Sequence, residues 1–262
     1  MTSWARPGRR RAVVTGDVAL IVNFGSPLGL TDPRDQSGTV KYRSAFVAGL
    51  SDSYSLCDWT GDSYGIQVDL TPIGAHQVLG LPMDELANRV VELEEALGSW
   101  GCLLTERLEG AQNWEVRFEL LDSVIASRLA EARQPAPGVV HAWRRLEASG
   151  GQVSIQELAY ELGYSQEHLT HRFREHVGLP PKTLAQILRF GRVMRWLEAD
   201  DEAHWTDIAF DCGYYDQSHL IRDFHRFAGR PQGSSCVYAC PRAGEWPAEI
   251  SSSYKTHGMR PQ

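Results

Sequence analysis

A chain of 262 residues accommodates one large domain or two ordinary ones. Its 42% hydrophobic and 23% charged residues belong to a globular protein and exclude wholesale disorder. A net charge of −7 argues against a general polyanion binder, so any nucleic-acid role must rest on local charge.

The opening stretch MTSWARPGRRRAVVTGDV is basic, but Asp17 interrupts the apolar stretch and no small-residue cleavage site is present, so no secretory signal is expected. The longest apolar run, Val18–Val22, is far too short to span a bilayer. A cytoplasmic protein without a membrane partner is the expectation. The patterns predict strands at Val18–Phe24, Val40–Leu50 and Gly65–Leu70. In GIQVDL, Ile66, Val68 and Leu70 alternate with Gln67 and Asp69, the period of a half-buried strand. Thr71-Pro72 suits an N-cap and a first helical position, and IGAHQVLG a short helix closing at Gly80. Helices are predicted at Met83–Leu97 and Trp114–Ala132, the latter with Trp114, Phe118, Leu121, Ile125 and Leu129 on one stripe.

Five scattered cysteines (Cys57, Cys102, Cys212, Cys236, Cys240) are odd in number and lack zinc spacing, which predicts free structural thiols and no metal site. Gln134–Gly138, QPAPG, is the linker candidate between residues 1–133 and a helical part that begins at Val139. From Val139 every pattern is helical, up to a tail over 241–262 expected to be flexible.

Within that helical part the same small object occurs twice. In the first copy, 154–178, Ser154 and Glu157 form a capping box. Ile155, Leu158, Ala159 and Leu162 make the apolar stripe, and Gly163 supplies a left-handed turn. Ser165 caps a second helix that buries Leu169, Phe173 and Val177 and stops at Gly178 and Pro180-Pro181. In the second copy, 206–229, Thr206 caps, Ile208, Ala209 and Cys212 pack, and Gly213 turns. Asp216 caps the second helix, Leu220, Phe224 and Phe227 pack, and Gly229 and Pro231 terminate. The extra residue near Tyr215 falls in the turn, where it disturbs neither helix. Two short helices joined by a glycine turn make a helix-turn-helix, whose second helix enters the DNA major groove. Between the copies, Thr183–Ala199 reads as one helix despite Gly191. It is long enough to hold two reading helices about one DNA turn, roughly 34 Å, apart.

The stretches LAYELGYSQEHLTHRFREHVGLPP, LRFGRV and DIAFDCGYYDQSHLIRDFHRFAGRP resemble the AraC/XylS family of bacterial transcription regulators. That resemblance implies a DNA-binding domain over 139–240. GIQVDLTPIGAHQVLGLPMDEL resembles the β-rich N-terminal domain of one subgroup of the family, which implies a regulatory or association role for 1–133. The fold class expected is therefore an α+β N-terminal domain, β-rich with C-terminal helices. An all-α domain comes next, with two helix-turn-helix motifs joined by a long helix. One departure is His171, where the family usually has arginine; the second copy keeps Arg222.

With leucine and phenylalanine turned inward, the base-reading candidates are Gln166, Glu167, Thr170 and His171 in the first copy, beside Arg174. In the second they are Gln217, Ser218, Ile221 and Arg222, beside His225. Glutamine pairs with adenine, glutamate accepts from cytosine, arginine grips guanine and isoleucine touches the thymine methyl. The phosphate candidates are Arg172, Arg174, Lys182, Arg189, Arg192 and Arg226. His168 and His219 are expected to cap or pack. Residues 139–240 hold eleven lysines and arginines against thirteen acids, yet Gly163–Arg195 holds six against two. The basic footprint is therefore the first copy and the connecting helix. The second copy carries Asp207, Asp211, Asp216 and Asp223, and the cluster at Asp200–Glu202 would have to face away from DNA.

The function predicted is a sequence-specific DNA-binding transcription regulator, with no cofactor and no catalytic residue. Candidate partners are double-stranded promoter DNA, RNA polymerase, a small-molecule effector at the N-terminal domain, and a second copy of the chain. The rival readings are a DNA-repair methyltransferase-like enzyme carrying such a domain, and a protein-binding helical module. No nucleotide-binding glycine loop, zinc-protease helix or serine-nucleophile elbow occurs in the sequence.

Overall fold

The computed structural model describes residues 8–34, 40–61, 63–199 and 205–229. The Asp200–Glu202 cluster, Pro231, Cys236, Cys240 and the tail from 241 lie outside the described residues.

Eight strands come first: β1 (Gly8–Ala12), β2 (Val18–Asn23), β3 (Leu28–Thr31), β4 (Lys41–Arg43), β5 (Ala45–Ala48), β6 (Ser55–Trp59), β7 (Gly65–Leu70) and, later in the chain, β8 (Val90–Glu92). They form two antiparallel four-stranded sheets, in the orders β1-β6-β3-β4 and β7-β2-β5-β8. The stretch predicted as one strand over Val40–Leu50 is two strands that belong to different sheets. The chain crosses between them at Ser44, whose carbonyl accepts from the Asn23 N–H at 2.8 Å.

One face of the second sheet is apolar throughout. Val18, Leu20, Val22, Val47, Ile66, Val68 and Leu70 are buried in one cluster with Ile73, Val78 and Leu79 of α1 (Pro72–Leu79) and Leu121 and Ile125 of α4 (Trp114–Glu131). Each such side chain contributes about 2 kcal/mol of burial. The other face carries Ala19, Ile21, Asn23, Phe46, Gln67 and Asp69. It looks across at Arg10, Leu28, Leu30, Lys41, Arg43 and Cys57 of the first sheet, and the two enclose a cavity of about 770 Å³. The polar positions of GIQVDL thus face this cavity.

Thr71 caps α1 through the Gly74 N–H, and Gly80 closes it in the left-handed region at φ +71°, as the sequence predicts. Met83–Leu97 does not form the one helix that its spacing predicts. The segment forms a 3-10 turn (Met83–Glu85), then β8, then the short helix α2 (Leu93–Leu97). Asn88 takes φ +58° and donates its N–H to the Leu50 carbonyl, which breaks the helical path. Val90, Val91 and Glu92 then pair with Ala48, Val47 and Phe46, closing an otherwise open edge of β5. A helix that the sequence pattern does not announce, α3 (Ser99–Gly110), precedes α4.

The remaining helices are α5 (Pro137–Ala148), α6 (Ile155–Glu161), α7 (Gln166–Val177), α8 (Pro181–Ala199), α9 (Trp205–Asp211) and α10 (Gln217–Phe227). The proline that ends the QPAPG stretch's extended run starts α5, where its missing N–H costs nothing. α8 runs unbroken through Gly191 for 19 residues, about 28 Å. No helix among the described residues is long and apolar enough to cross a membrane.

Candidate nucleic-acid interface

The two helix-turn-helix copies, α6–α7 and α9–α10, are built from the same local bonds. Leu158, Ala159, Leu169 and Phe173 are buried in the first, Ile208, Ala209, Leu220 and Phe224 in the second. In the turns, Gly163 N–H donates to the Tyr160 carbonyl and Gly213 N–H to the Phe210 carbonyl, both at 3.1 Å. Tyr164 N–H donates to Ala159 and Tyr214 N–H to Ala209, both at 2.9 Å. Gly163 and Gly213 have φ of +66° and +80°, conformations a side chain adopts only at a cost. Ser165 accepts from the His168 N–H, and Asp216 from the His219 N–H, capping α7 and α10. Each of these histidines then sets its ring edge-on against the turn tyrosine, His168 on Tyr164 and His219 on Tyr214. The surplus residue of the second copy is Tyr215, 94% exposed in the turn. Thr206 does not cap α9 as the sequence predicts, because Trp205 before it is already helical.

The two second helices present their outward residues to solvent. Gln166, Glu167, His171 and Arg174 are exposed on α7, with Thr170 half-buried. On α10, Gln217, Ser218, Ile221, Arg222 and His225 are exposed, and the Arg222 guanidinium reaches back to the Ser218 carbonyl at 3.4 Å. Asp223, grouped in the sequence with the surface acids of the second copy, is instead buried. Burial pushes its carboxyl above the usual range, with His219 and Arg189 acting against that rise.

The cations have divided employment. Arg174 and Lys182 are exposed. Arg172 pairs with Glu175 one turn on, at 2.8 Å. Arg189 donates to the Gly151 carbonyl at 2.8 Å and stacks near the Tyr214 ring, tying α8 to the loop after α5 and to the second turn. Arg192 donates to the Asp211 carbonyl at 2.7 Å, tying α8 to the end of α9. Arg226 is held by Asp52 of the N-terminal half.

Both second helices meet that half at their C-terminal ends. On α7, Gly178 lies so close to Met83 that a Cβ would stand 2.9 Å from the Met83 carbonyl oxygen. His176 is buried there against His76 of α1. On α10, the Val14 N–H donates to the Phe227 carbonyl, and Gly229 rests on the Tyr54 ring. The helix ends are fixed while the N-terminal turns, with Gln166, Glu167, Gln217 and Ser218, stay open. His176, Asp52 and the cavity residues carry no sequence motif.

The described cysteines are free thiols. Burial pushes Cys57 and Cys212 above the ordinary thiol range, and burial with Glu94 does the same for Cys102. An activated nucleophile is shifted the other way.

Two capped helix-turn-helix units on one rigid helix define a double helix-turn-helix protein. Residues 158–233 match the helix-turn-helix domain family, and residues 1–92 match a domain of unknown function, DUF6597. The chain is 26% identical over 135 residues to the uncharacterized HTH-type transcriptional regulator YbfI of Bacillus subtilis, covering 49% of this chain and 48% of that protein. It is 25% identical over 150 residues to the HTH-type transcriptional activator RhaS of Escherichia fergusonii, covering 57% of this chain and 46% of that protein. The chain thus spans about half the length of these curated relatives. Among solved structures, ToxT from Vibrio cholerae O395 aligns at a TM-score of 0.46 and 12% identity, covering 86% of this chain and 94% of that one. Unsaturated fatty acid-bound ToxT from strain SCE256 aligns at 0.47 and 12%, covering 87% and 90%. In its C-terminal part the chain is similar to HTH-type transcriptional regulators.

Proposed function

We propose that the chain is a one-component regulator that binds promoter DNA sequence-specifically through α7 and α10. The observation that carries this is the open N-terminal half of each second helix, set with polar side chains, on a body that fixes the other end. In a helix-turn-helix these are the residues that meet base edges, while the first helix crosses the backbone. Gln166, Glu167, Thr170 and His171 read one groove segment, and Gln217, Ser218, Ile221 and Arg222 the next. Arg174 and Lys182 supply the first phosphate contacts, and Arg172 joins them when it leaves Glu175. Arg189 and Arg192 act chiefly by holding α8 to the two copies.

The cavity between the sheets is the site for a small-molecule effector in this reading. Its walls carry both signs of charge, Arg10, Lys41 and Arg43 on one sheet and Asp69 on the other, beside Phe46 and Trp59. Such a mixed lining suits a polar ligand with an apolar portion. RNA polymerase and a second copy of the chain complete the set of partners. Band-shift titration against genomic fragments selected by the protein tests the DNA-binding part. Binding without sequence preference, or none at low salt, would sink it.

A further inference from the structure

Besides the Val14 and Tyr54 contacts, a carboxylate ties the second helix-turn-helix to the N-terminal half. Asp52 Oδ2 takes the Arg226 Nη2–H at 2.6 Å, and the Asp52 backbone carbonyl takes the Arg226 Nε–H at 2.9 Å. The other oxygen, Oδ1, takes the Arg34 Nη1–H at 2.6 Å, and Arg34 is also paired with Asp32 at 2.8 Å. Asp52 is further fixed from behind, because its N–H donates to Asn88 Oδ1 at 2.9 Å. Arg34, Asp32 and Asn88 all line the cavity between the sheets. The loop that carries Asp52 also sets Ser51 and Ser53 in the cavity wall, so the holder of α10 adjoins the cavity.

Arg226 spends two of its donors on Asp52, donors that a cation at the end of a reading helix would otherwise give to a phosphate. Charge-assisted bonds of this kind are the strong ones. Each phosphate contact forgone also removes roughly 0.9 from the slope of log affinity against log salt. We infer that Asp52 is an autoinhibitory clamp that withholds Arg226 from DNA and is positioned from the cavity by Arg34. This rests on the proposal that the chain binds DNA. A cavity ligand with an acidic group competes with Asp52 for Arg34, lets the carboxylate turn, and loosens the clamp. That gives the effector site a physical route to α10.

The test uses the full chain and a DNA fragment selected by the wild type, with affinity measured by fluorescence anisotropy between about 50 and about 200 mM salt. Asp52→Asn is expected to bind several-fold tighter at the lower salt, with a slope steeper by about 0.9. Arg34→Gln should give a smaller gain of the same sign. In an Arg226→Gln background, Asp52→Asn should bring no gain. Asp52→Asn leaves both backbone bonds of residue 52 in place, and circular dichroism checks its fold. If that variant is unfolded, the Arg34→Gln gain and its loss on adding Arg226→Gln decide the matter. Equal or weaker binding by Asp52→Asn, or a gain that survives Arg226→Gln, overturns the clamp and leaves the DNA-binding reading standing. No binding by the wild type at the lower salt overturns both.

Discussion

His76 of α1 and His176 of α7 meet across the junction of the two halves, with ring centroids 4.7 Å apart. His176 has both nitrogens committed: Nδ1 lies 3.1 Å from the Arg172 carbonyl, to which it donates, and Nε2 accepts from the Ala136 N–H at 3.4 Å. That arrangement is a neutral imidazole. Burial first holds its pKa below the ordinary histidine value; the Arg172 carbonyl and Glu175 act against this, and His76 and Arg172 reinforce it.

A lowered histidine pKa makes the fold sensitive to acid. The unfolded chain takes up a proton near the ordinary histidine pKa, about 6.5, before the folded chain does, so stability is complete above that value and falls as pH drops through it. Protonation would set an N–H against the Ala136 N–H and a charge beside His76. Thermal unfolding should therefore show a midpoint that drops on acidification from about pH 7.5 toward about pH 5, with a smaller drop in His176→Gln. Identical profiles for the two proteins would contradict this.

Two glycines of positive φ should respond very differently to a methyl group. Gly163, φ +66°, has no atom within 4 Å of an added Cβ, so Gly163→Ala should cost only the strain of the conformation, about 1 kcal/mol. Gly151, φ +79°, would place a Cβ 2.1 Å from the Ala185 carbonyl oxygen. Gly151→Ala should cost more than about 2 kcal/mol, because overpacking adds to strain and α8 must shift from α5. Urea unfolding of both variants measures the difference.

Asp17 opens on the cavity, and its carboxyl is pushed up to about 6, by burial first and then by Asp69 and Glu147. A carboxylate whose folded pKa is raised weakens the fold wherever it is ionised, so stability falls as pH rises from about 4 through about 6. Asp17→Asn should be more stable than wild type at neutral pH. The Asp17 side chain is exposed at the surface, and that screening limits the gain to about 1 kcal/mol, which should vanish near pH 4. Calorimetry at three pH values reads this, and a variant less stable than wild type at neutral pH would refute it.

Arg222 and Arg174 should separate base reading from phosphate grip. Arg222→Ala should cost about 1–3 kcal/mol on the selected site and relax preference at one base position. Arg174→Ala should weaken selected and scrambled sites alike and lower the salt slope by about 0.9. Repeating the site selection with each variant distinguishes the two, and indistinguishable outcomes would overturn the division.

The double motif was legible because its signals are local. Ser165, Asp216, Gly163 and Gly213 act within a few residues of where they stand, and the one-residue slip at Tyr215 shows in the spacing alone. What was not legible depends on distant partners. The helical spacing of Met83–Leu97 is real, but the open edge of β5 recruits Val90–Glu92 into a sheet instead. The polar positions Gln67 and Asp69 mark a strand correctly without saying that a second sheet covers them. Asp223 reads as a surface acid until the positions of His219 and Arg189 are known. Arg226 reads as a phosphate ligand until Asp52, 174 residues earlier, is found beside it.

The most direct measurement is a quantitative band shift of the intact protein on a self-selected genomic fragment and on a scrambled one, at about 50 and about 200 mM salt. Binding to the selected fragment is expected to be much tighter at both salts, with both affinities falling as salt rises. Equal affinity for the two fragments, or no complex at the lower salt, would contradict it.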